Sequence, residues 1–211
     1  AERGAFRVAL AGGGTPEALY HRLAGPDYAD LPWSRCHCFF GDERCVPPDH
    51  ADSNYRMARQ ALLDHVPIPP DQVHRMPGEN DPQAAAAAYA ERLRSELPDR
   101  DGVPVFDLVL LGLGPDGHIA SLFPGTKALT RTEPAVANWV PELDAWRLTL
   151  TFPVLQAAWA VWVLAAGANK AAIARRVLAG GPGEEPLPAQ RLAPAGAYRW
   201  LLDDQAAREL P

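Results

Sequence analysis

Several things are scarce in this chain of 211 residues, and each scarcity narrows what the protein does. Cysteine is rare, with only Cys36, Cys38 and Cys45. An odd, low count does not build a disulfide framework and suits a reducing cytoplasm. Cys36 and Cys38 stand two apart, which puts both on one side of a strand. That is not the C-x₂₋₄-C spacing of a zinc site, and no second ligand pair follows. The thiols are expected to be buried or idle, and no metal is expected. Long apolar runs are missing as well. None nears the roughly 18 residues that a membrane-spanning helix needs. The segment Ala1-Glu-Arg-Gly4 carries no signal-peptide pattern, so a cytoplasmic location is expected. Positive charge is short too. The formal net charge is −6, with no basic run and no basic-aromatic stripe, which argues against a nucleic-acid footprint. A few clustered cations can still take a small anion.

What is present is ordinary for a globular protein: 47% hydrophobic and 22% charged residues, and enough length for one good-sized core. Strand-like runs alternate with helical patterns. Phe6–Ala11 reads as a strand. Thr15 is the expected N-cap of the following helix, with Pro16 at its first position and an end near Gly25-Pro26. His37–Phe40 reads as the next strand. Ser53 is expected to cap a helix to about His65, and Asp81-Pro82 to open an alanine-rich helix to about Leu97. Val105-Phe-Asp-Leu-Val-Leu-Leu111 is apolar without alternation, as in a parallel strand covered on both faces. Trp146–Leu150, Val161–Ala165 and Tyr198–Leu202 complete the strands. Helices are expected at Pro153, around Lys170–Leu178 and at the C-terminus. Prolines cluster between elements, as in Val66-Pro-Ile-Pro-Pro70 and Gly180-Gly-Pro-Gly183, and read as loops. The alternation implies one domain over residues 1–211, with one parallel sheet and helices on both faces.

Chemistry concentrates where strands end, since open α/β sheets bind ligands beyond the carboxyl ends of their strands. Gly12-Gly-Gly-Thr15 precedes a helix. It is either a tight turn or an anion site made of backbone N–H groups at the positive helix end. Gly112-x-Gly114-x-x-Gly117 meets the spacing of a dinucleotide fingerprint, but Phe123-Pro-Gly125 breaks the chain within about two turns, where that fold needs a long helix. The same loop carries Asp116 and His118, a histidine with a nearby carboxylate, which is the composition of an oriented general base. Gly41-Asp-Glu-Arg44 is either a solvated charged turn or a second functional strand end. Arg147 and Lys170, taken singly, read as surface cations. His21, His50, His65 and His74 have no such context and read as structural or exposed.

Taken together, Ala11-Gly-Gly-Gly-Thr-Pro16, Phe40-Gly-Asp-Glu-Arg44, Ser53-Asn-Tyr55, Gly112-Leu-Gly-Pro-Asp-Gly-His-Ile-Ala-Ser-Leu-Phe-Pro-Gly125, Arg147-Leu-Thr-Leu-Thr151 and Gly167-Ala-Asn-Lys170 resemble the 6-phosphogluconolactonase family, in the family's order. The resemblance implies a three-layer α/β/α sandwich with a mainly parallel sheet, similar to glucosamine-6-phosphate deaminase. The family's strand and helix before the first glycine turn have no counterpart here, and residues 127–144 match least. The implied reaction is hydrolysis of a sugar-phosphate lactone. His118 would act as base and Asp116 as its orienting partner. Arg44 would stabilise charge at the lactone carbon, with Asp42 holding it. Gly13, Gly14, Thr15, Arg147 and Lys170 would bind the phosphate. No cofactor or metal is implied, no nucleic-acid or membrane partner, and a monomer or weak homo-oligomer. The deaminases continue Asp-Gly-His with Ile-Ala-Phe-Asn-Glu-Pro, whereas this chain has Phe123 in place of the glutamate. A deaminase-like enzyme and a non-catalytic sugar-phosphate sensor are the alternatives.

Overall fold

The computed structural model describes residues 4–180 and 185–211. Of the loop expected at residues 180–183, positions 181–183 lie outside the described residues, as do 1–3 of the opening segment. The elements in chain order are β1 (Phe6–Leu10), α1 (Gly14–Leu23), β2 (Cys36–Phe40), β3 (Asp42–Arg44), α2 (Asn54–Ala58, continued by a π-helical turn), α3 (Pro82–Glu96), β4 (Asp99–Arg100), β5 (Val103–Pro104), β6 (Leu108–Gly112), β7 (Ala135–Val140), β8 (Ala145–Leu150), α4 (Phe152–Ala157), β9 (Ala160–Ala165), α5 (Ala171–Ala179), α6 (Pro188–Arg191), β10 (Ala197–Leu202) and α7 (Asp204–Ala207). Among the described residues no helix is long and apolar enough to cross a membrane.

Five strands form a parallel sheet in the order β10-β9-β6-β1-β2, flanked by helices, which makes this an α/β fold. β6 lies between β1 and β9, and its Val109, Leu110 and Leu111 are buried, as its unbroken apolar run requires. The chain moves outward from β1 to β2, then returns to the other side of β1 to lay down β6, β9 and β10. The order therefore reverses between β1 and β6, and a crevice opens beyond their carboxyl ends.

Two buried tyrosines fix strand ends beside that crevice. Tyr20 of α1 accepts a hydrogen bond from the Ala11 N–H and donates to the Ala11 carbonyl, both at 2.9 Å. Tyr89 of α3 accepts from the Phe40 N–H at 2.9 Å. Its single proton is shared between the carbonyls of Phe40 (3.2 Å) and His74 (3.3 Å). Peptide groups running past the end of a ladder would otherwise be buried without partners.

The structure corrects three expectations. Helix α1 starts at Gly14, with Gly13 rather than Thr15 at its N-cap. Gly13 has φ 95, a conformation open to glycine, and Thr15 falls inside the first turn. Trp146–Leu150 is not in the parallel sheet. It forms β8, the middle of a three-stranded antiparallel sheet ordered β3-β8-β7. Finally, Asp42–Arg44 is no turn but β3, paired as Asp42↔Thr149, Glu43↔Leu148 and Arg44↔Arg147.

Candidate active site

The crevice is a cleft of about 220 Å³ lined by the ends of β1 and β6, the start of β3, and single side chains from further away, among them Asn54, His118 and Lys170. The loop after β6 shapes it. The Gly114 N–H donates to the His118 carbonyl (2.9 Å) and the Gly117 N–H to the Gly114 carbonyl (3.1 Å), closing the loop on itself. A Cβ at Gly114 would stand 2.1 Å from His118 Nδ1, so only glycine admits the imidazole there. Gly117 has φ 80.

His118 Nδ1 lies 2.6 Å from Asp116 Oδ1, and the same oxygen accepts the His118 backbone N–H at 3.2 Å. Burial pushes the Asp116 carboxyl up, but the hydrogen bond and charge of His118 outweigh it and hold it below the usual carboxylate value. An ionised Asp116 can only accept, so Nδ1 carries the proton and Nε2 is left with a lone pair. The ring packs on Phe123, centroid to centroid 4.0 Å. An apolar ring therefore covers one face of the imidazole.

β3 divides its side chains by alternation. Glu43 turns inward and is 2% exposed. Its carboxylate accepts from the N–H groups of Arg44 (2.8 Å), Asn54 (2.7 Å) and Tyr55 (2.8 Å) and from the Ser53 hydroxyl (3.1 Å). Burial pushes its carboxyl up while those backbone donors pull it back. Glu43 thus anchors the start of α2, and Ser53 caps that helix as expected, accepting from the Arg56 N–H. Asp42 and Arg44 share the other face. Asp42 does not hold Arg44. Its Oδ1 accepts from Asn54 Nδ2 (3.2 Å) and its Oδ2 from the Ser121 hydroxyl (2.7 Å). The Arg44 guanidinium donates instead to the Asp52 carbonyl.

Arg44 and Arg147 stand directly opposite each other across β3 and β8, an arrangement that repels. Arg147 donates to the Trp146 carbonyl (3.3 Å). Among the described residues neither guanidinium forms an ion pair with a carboxylate. Burial and the charge of Arg44 lower the Arg147 pKa, partly offset by Asp42. Arg44 belongs to two clefts at once. It lines the crevice and also an adjoining hollow of about 820 Å³ that holds Arg147, Asp52 and Trp146. Lys170, at the end of a turn after β9, reaches back into the crevice, and its Nζ donates to the Leu113 carbonyl at 2.8 Å.

The structure thus brings His118, Asp42, Arg44, Gly13 and Lys170 to one crevice, with Asp116 hydrogen-bonded to His118 there. Arg147 is reached through Arg44 in the next hollow, and Gly14 and Thr15 form the first turn of α1 behind Gly13. Two residues without an assigned role join the site. Asn54 packs on Gly12 so closely that a Cβ there would meet its Oδ1 at 2.0 Å. Ser121 bonds Asp42 from the far side of the His118 loop. Both sit in the motifs quoted above, but only the folded chain shows what they touch.

Residues 1–200 match the family model for glucosamine-6-phosphate isomerases/6-phosphogluconolactonase. The chain is 45% identical to a 6-phosphogluconolactonase of Synechocystis sp., covering all of this chain and 87% of that protein. It is 42% identical to the human 6-phosphogluconolactonase, over 99% of this chain and 82% of the human one. The crystal structure of 6-phosphogluconolactonase from Leishmania guyanensis superposes with a TM-score of 0.86 at 34% identity, covering 100% of this chain and 88% of that one.

Proposed function

Since the chain belongs to the glucosamine-6-phosphate isomerase/6-phosphogluconolactonase family, we propose that it hydrolyses 6-phospho-D-glucono-1,5-lactone to 6-phosphogluconate, a step of the oxidative pentose phosphate pathway. The observation that carries the reading is an oriented imidazole, His118 on Asp116, in one crevice with Arg44 and Lys170, which have no acidic partner among the described residues. His118 Nε2 takes a proton from water as its oxygen attacks C1 of the lactone. The carbonyl oxygen becomes an oxyanion, which Arg44 stabilises. Collapse breaks the bond from C1 to the ring oxygen. The imidazolium returns its proton to that oxygen, and the new carboxylic acid ionises. Asp116 keeps Nδ1–H fixed throughout and favours the imidazolium.

The phosphate lies at the other end of the substrate. Arg147, Lys170 and the N–H groups of Gly13, Gly14 and Thr15 at the positive end of α1 bind it. The reading includes cytoplasmic action as a monomer or weak homo-oligomer, and free thiols at Cys36, Cys38 and Cys45 fit that compartment. The test is a continuous assay on freshly made lactone, corrected for spontaneous hydrolysis. Turnover well above the blank is expected. Tight binding of 6-phosphogluconate without turnover would make the site that of a sensor.

A further inference from the structure

The loop that carries His118 continues into an unusual turn. Ala120, two residues on, has φ 48, a left-handed backbone that a non-glycine residue seldom adopts and that costs energy to hold. The Leu122 N–H closes the turn on the Ile119 carbonyl at 2.9 Å. Ser121 in its middle is 1% exposed, and every polar group it has is engaged. Its N–H donates to Thr149 Oγ1 (3.1 Å), its carbonyl accepts from Asn138 Nδ2 (2.9 Å), and its hydroxyl donates to Asp42 Oδ2 (2.7 Å). Those partners come from all three strands of the antiparallel sheet: Thr149 from β8, Asn138 from β7 and Asp42 from β3. Ser121 therefore joins the loop of the imidazole to the sheet of the arginines.

Asp42 is the partner with consequences. It shares a strand face with Arg44, and its charge reaches Arg147. A carboxylate beside two guanidiniums that form no ion pair among the described residues gains by pairing with one, because charge-assisted hydrogen bonds are the stronger kind. It does not pair. Neutral donors from Asn54 and Ser121 fill one oxygen each. We propose that Ser121 is a positioning residue that holds Asp42 off Arg147, leaving that guanidinium to the substrate phosphate. This rests on the reading of Arg147 as a phosphate ligand. Without the hydroxyl, Oδ2 loses its donor, and Asp42 swings toward the Arg147 guanidinium and neutralises it.

The experiment compares wild type, Ser121→Ala, Ser121→Cys, Asp42→Asn and the double variant Ser121→Ala/Asp42→Asn, all on 6-phosphogluconolactone and on unphosphorylated gluconolactone. Ser121→Cys keeps a side chain of similar shape with a weak donor, so it carries the test if the alanine variant does not fold. Both Ser121 variants should raise KM for the phosphorylated lactone roughly tenfold, the loss of about one charge-assisted hydrogen bond. Their kcat and their activity on gluconolactone should change far less. An amide at position 42 cannot neutralise a guanidinium, so the double variant should recover the KM of Asp42→Asn alone. An unchanged KM in the Ser121 variants, or a double variant that keeps the defect, would overturn the proposal. Arg147→Ala run alongside separates the two readings. If it damages both substrates equally, the phosphate clamp itself is wrong. If it discriminates between them and the Ser121 variants do not, only the role of Ser121 falls.

Discussion

The two sheets that meet at the crevice treat their charged side chains in opposite ways. Beyond β6, everything the imidazole needs is supplied by its own loop: Asp116 at 2.6 Å, Phe123 against its ring, and glycine at position 114 to make room. Across the crevice, β3 and β8 set two arginines face to face, and among the described residues neither pairs with a carboxylate, while Asp42, on the same strand face as Arg44, is occupied by neutral donors. The first arrangement fixes one geometry in advance, as a proton-transfer group requires. The second withholds partners so that a ligand can supply them. The two sheets thus prepare their charged side chains in different ways, and variants of His118 and of Arg147 should fail differently.

The largest effect should come from the pre-satisfied side. His118→Asn should lower kcat by about 10²–10⁴-fold, the usual worth of general-base catalysis, while 6-phosphogluconate still inhibits at near wild-type concentration. The pH profile sharpens this. Asp116 is held below the usual carboxylate value, so it stays ionised as the pH falls through the range where imidazoles protonate. Wild-type kcat should then fall on the acid side along one limb, and the variant should lack that limb. A folded variant with near-normal kcat would move the base to Asp42. It would not move it to Glu43, whose oxygens already accept from Arg44, Ser53, Asn54 and Tyr55.

On the side of the withheld partners, Arg147→Ala should lower kcat/KM for the phosphorylated lactone by about one to two orders of magnitude, and Lys170→Ala, in the turn after β9, should do the same. Unphosphorylated gluconolactone should lose much less. Parallel losses on both substrates would erase the division between the sheets, because a ligand for phosphate acts only where there is one.

This division also explains what is legible in the sequence. The parallel sheet is visible because Leu108–Leu111 is apolar without a break and because the glycines and His118 that follow fall at a strand end. Helix starts at Ser53 and Asp81 are visible because their side chains cap locally. The antiparallel sheet is not visible. Asp42–Arg44 is too short to display a period of two. Ala135–Val140 lies in a stretch that carries no expectation. In Trp146–Leu150 the alternation of Arg147 and Thr149 with Leu148 and Leu150 is present, but Leu148, Thr149 and Leu150 are all buried, so the pattern does not tell this antiparallel strand from a parallel one. The role of Ser121 is out of reach altogether, since its partner Asp42 is 79 residues away in the chain.

The smallest effect, none at all, is expected from removing metal ions, and this tests whether the crevice works with protons and cations alone. Among the described residues one group has a metal-ligating composition, His37, His74 and Glu96. It is not at the crevice, because His37 stands near the beginning of β2 and the crevice opens past that strand's end. The two rings lie within 7° of parallel, with centroids 5.7 Å apart and facing nitrogens 3.4 Å apart. Nδ1 of His37 and Nε2 of His74 are close enough to bond to each other. Burial also pushes the His74 pKa down, which keeps that imidazole neutral. Glu96 is engaged by Arg92 at 3.2 Å. Exhaustive chelation should therefore leave kcat and KM on 6-phosphogluconolactone unchanged. Loss of activity restored by one divalent ion would show that the arginines do not suffice for the oxyanion, and the contrast between the two sheets would need a third element.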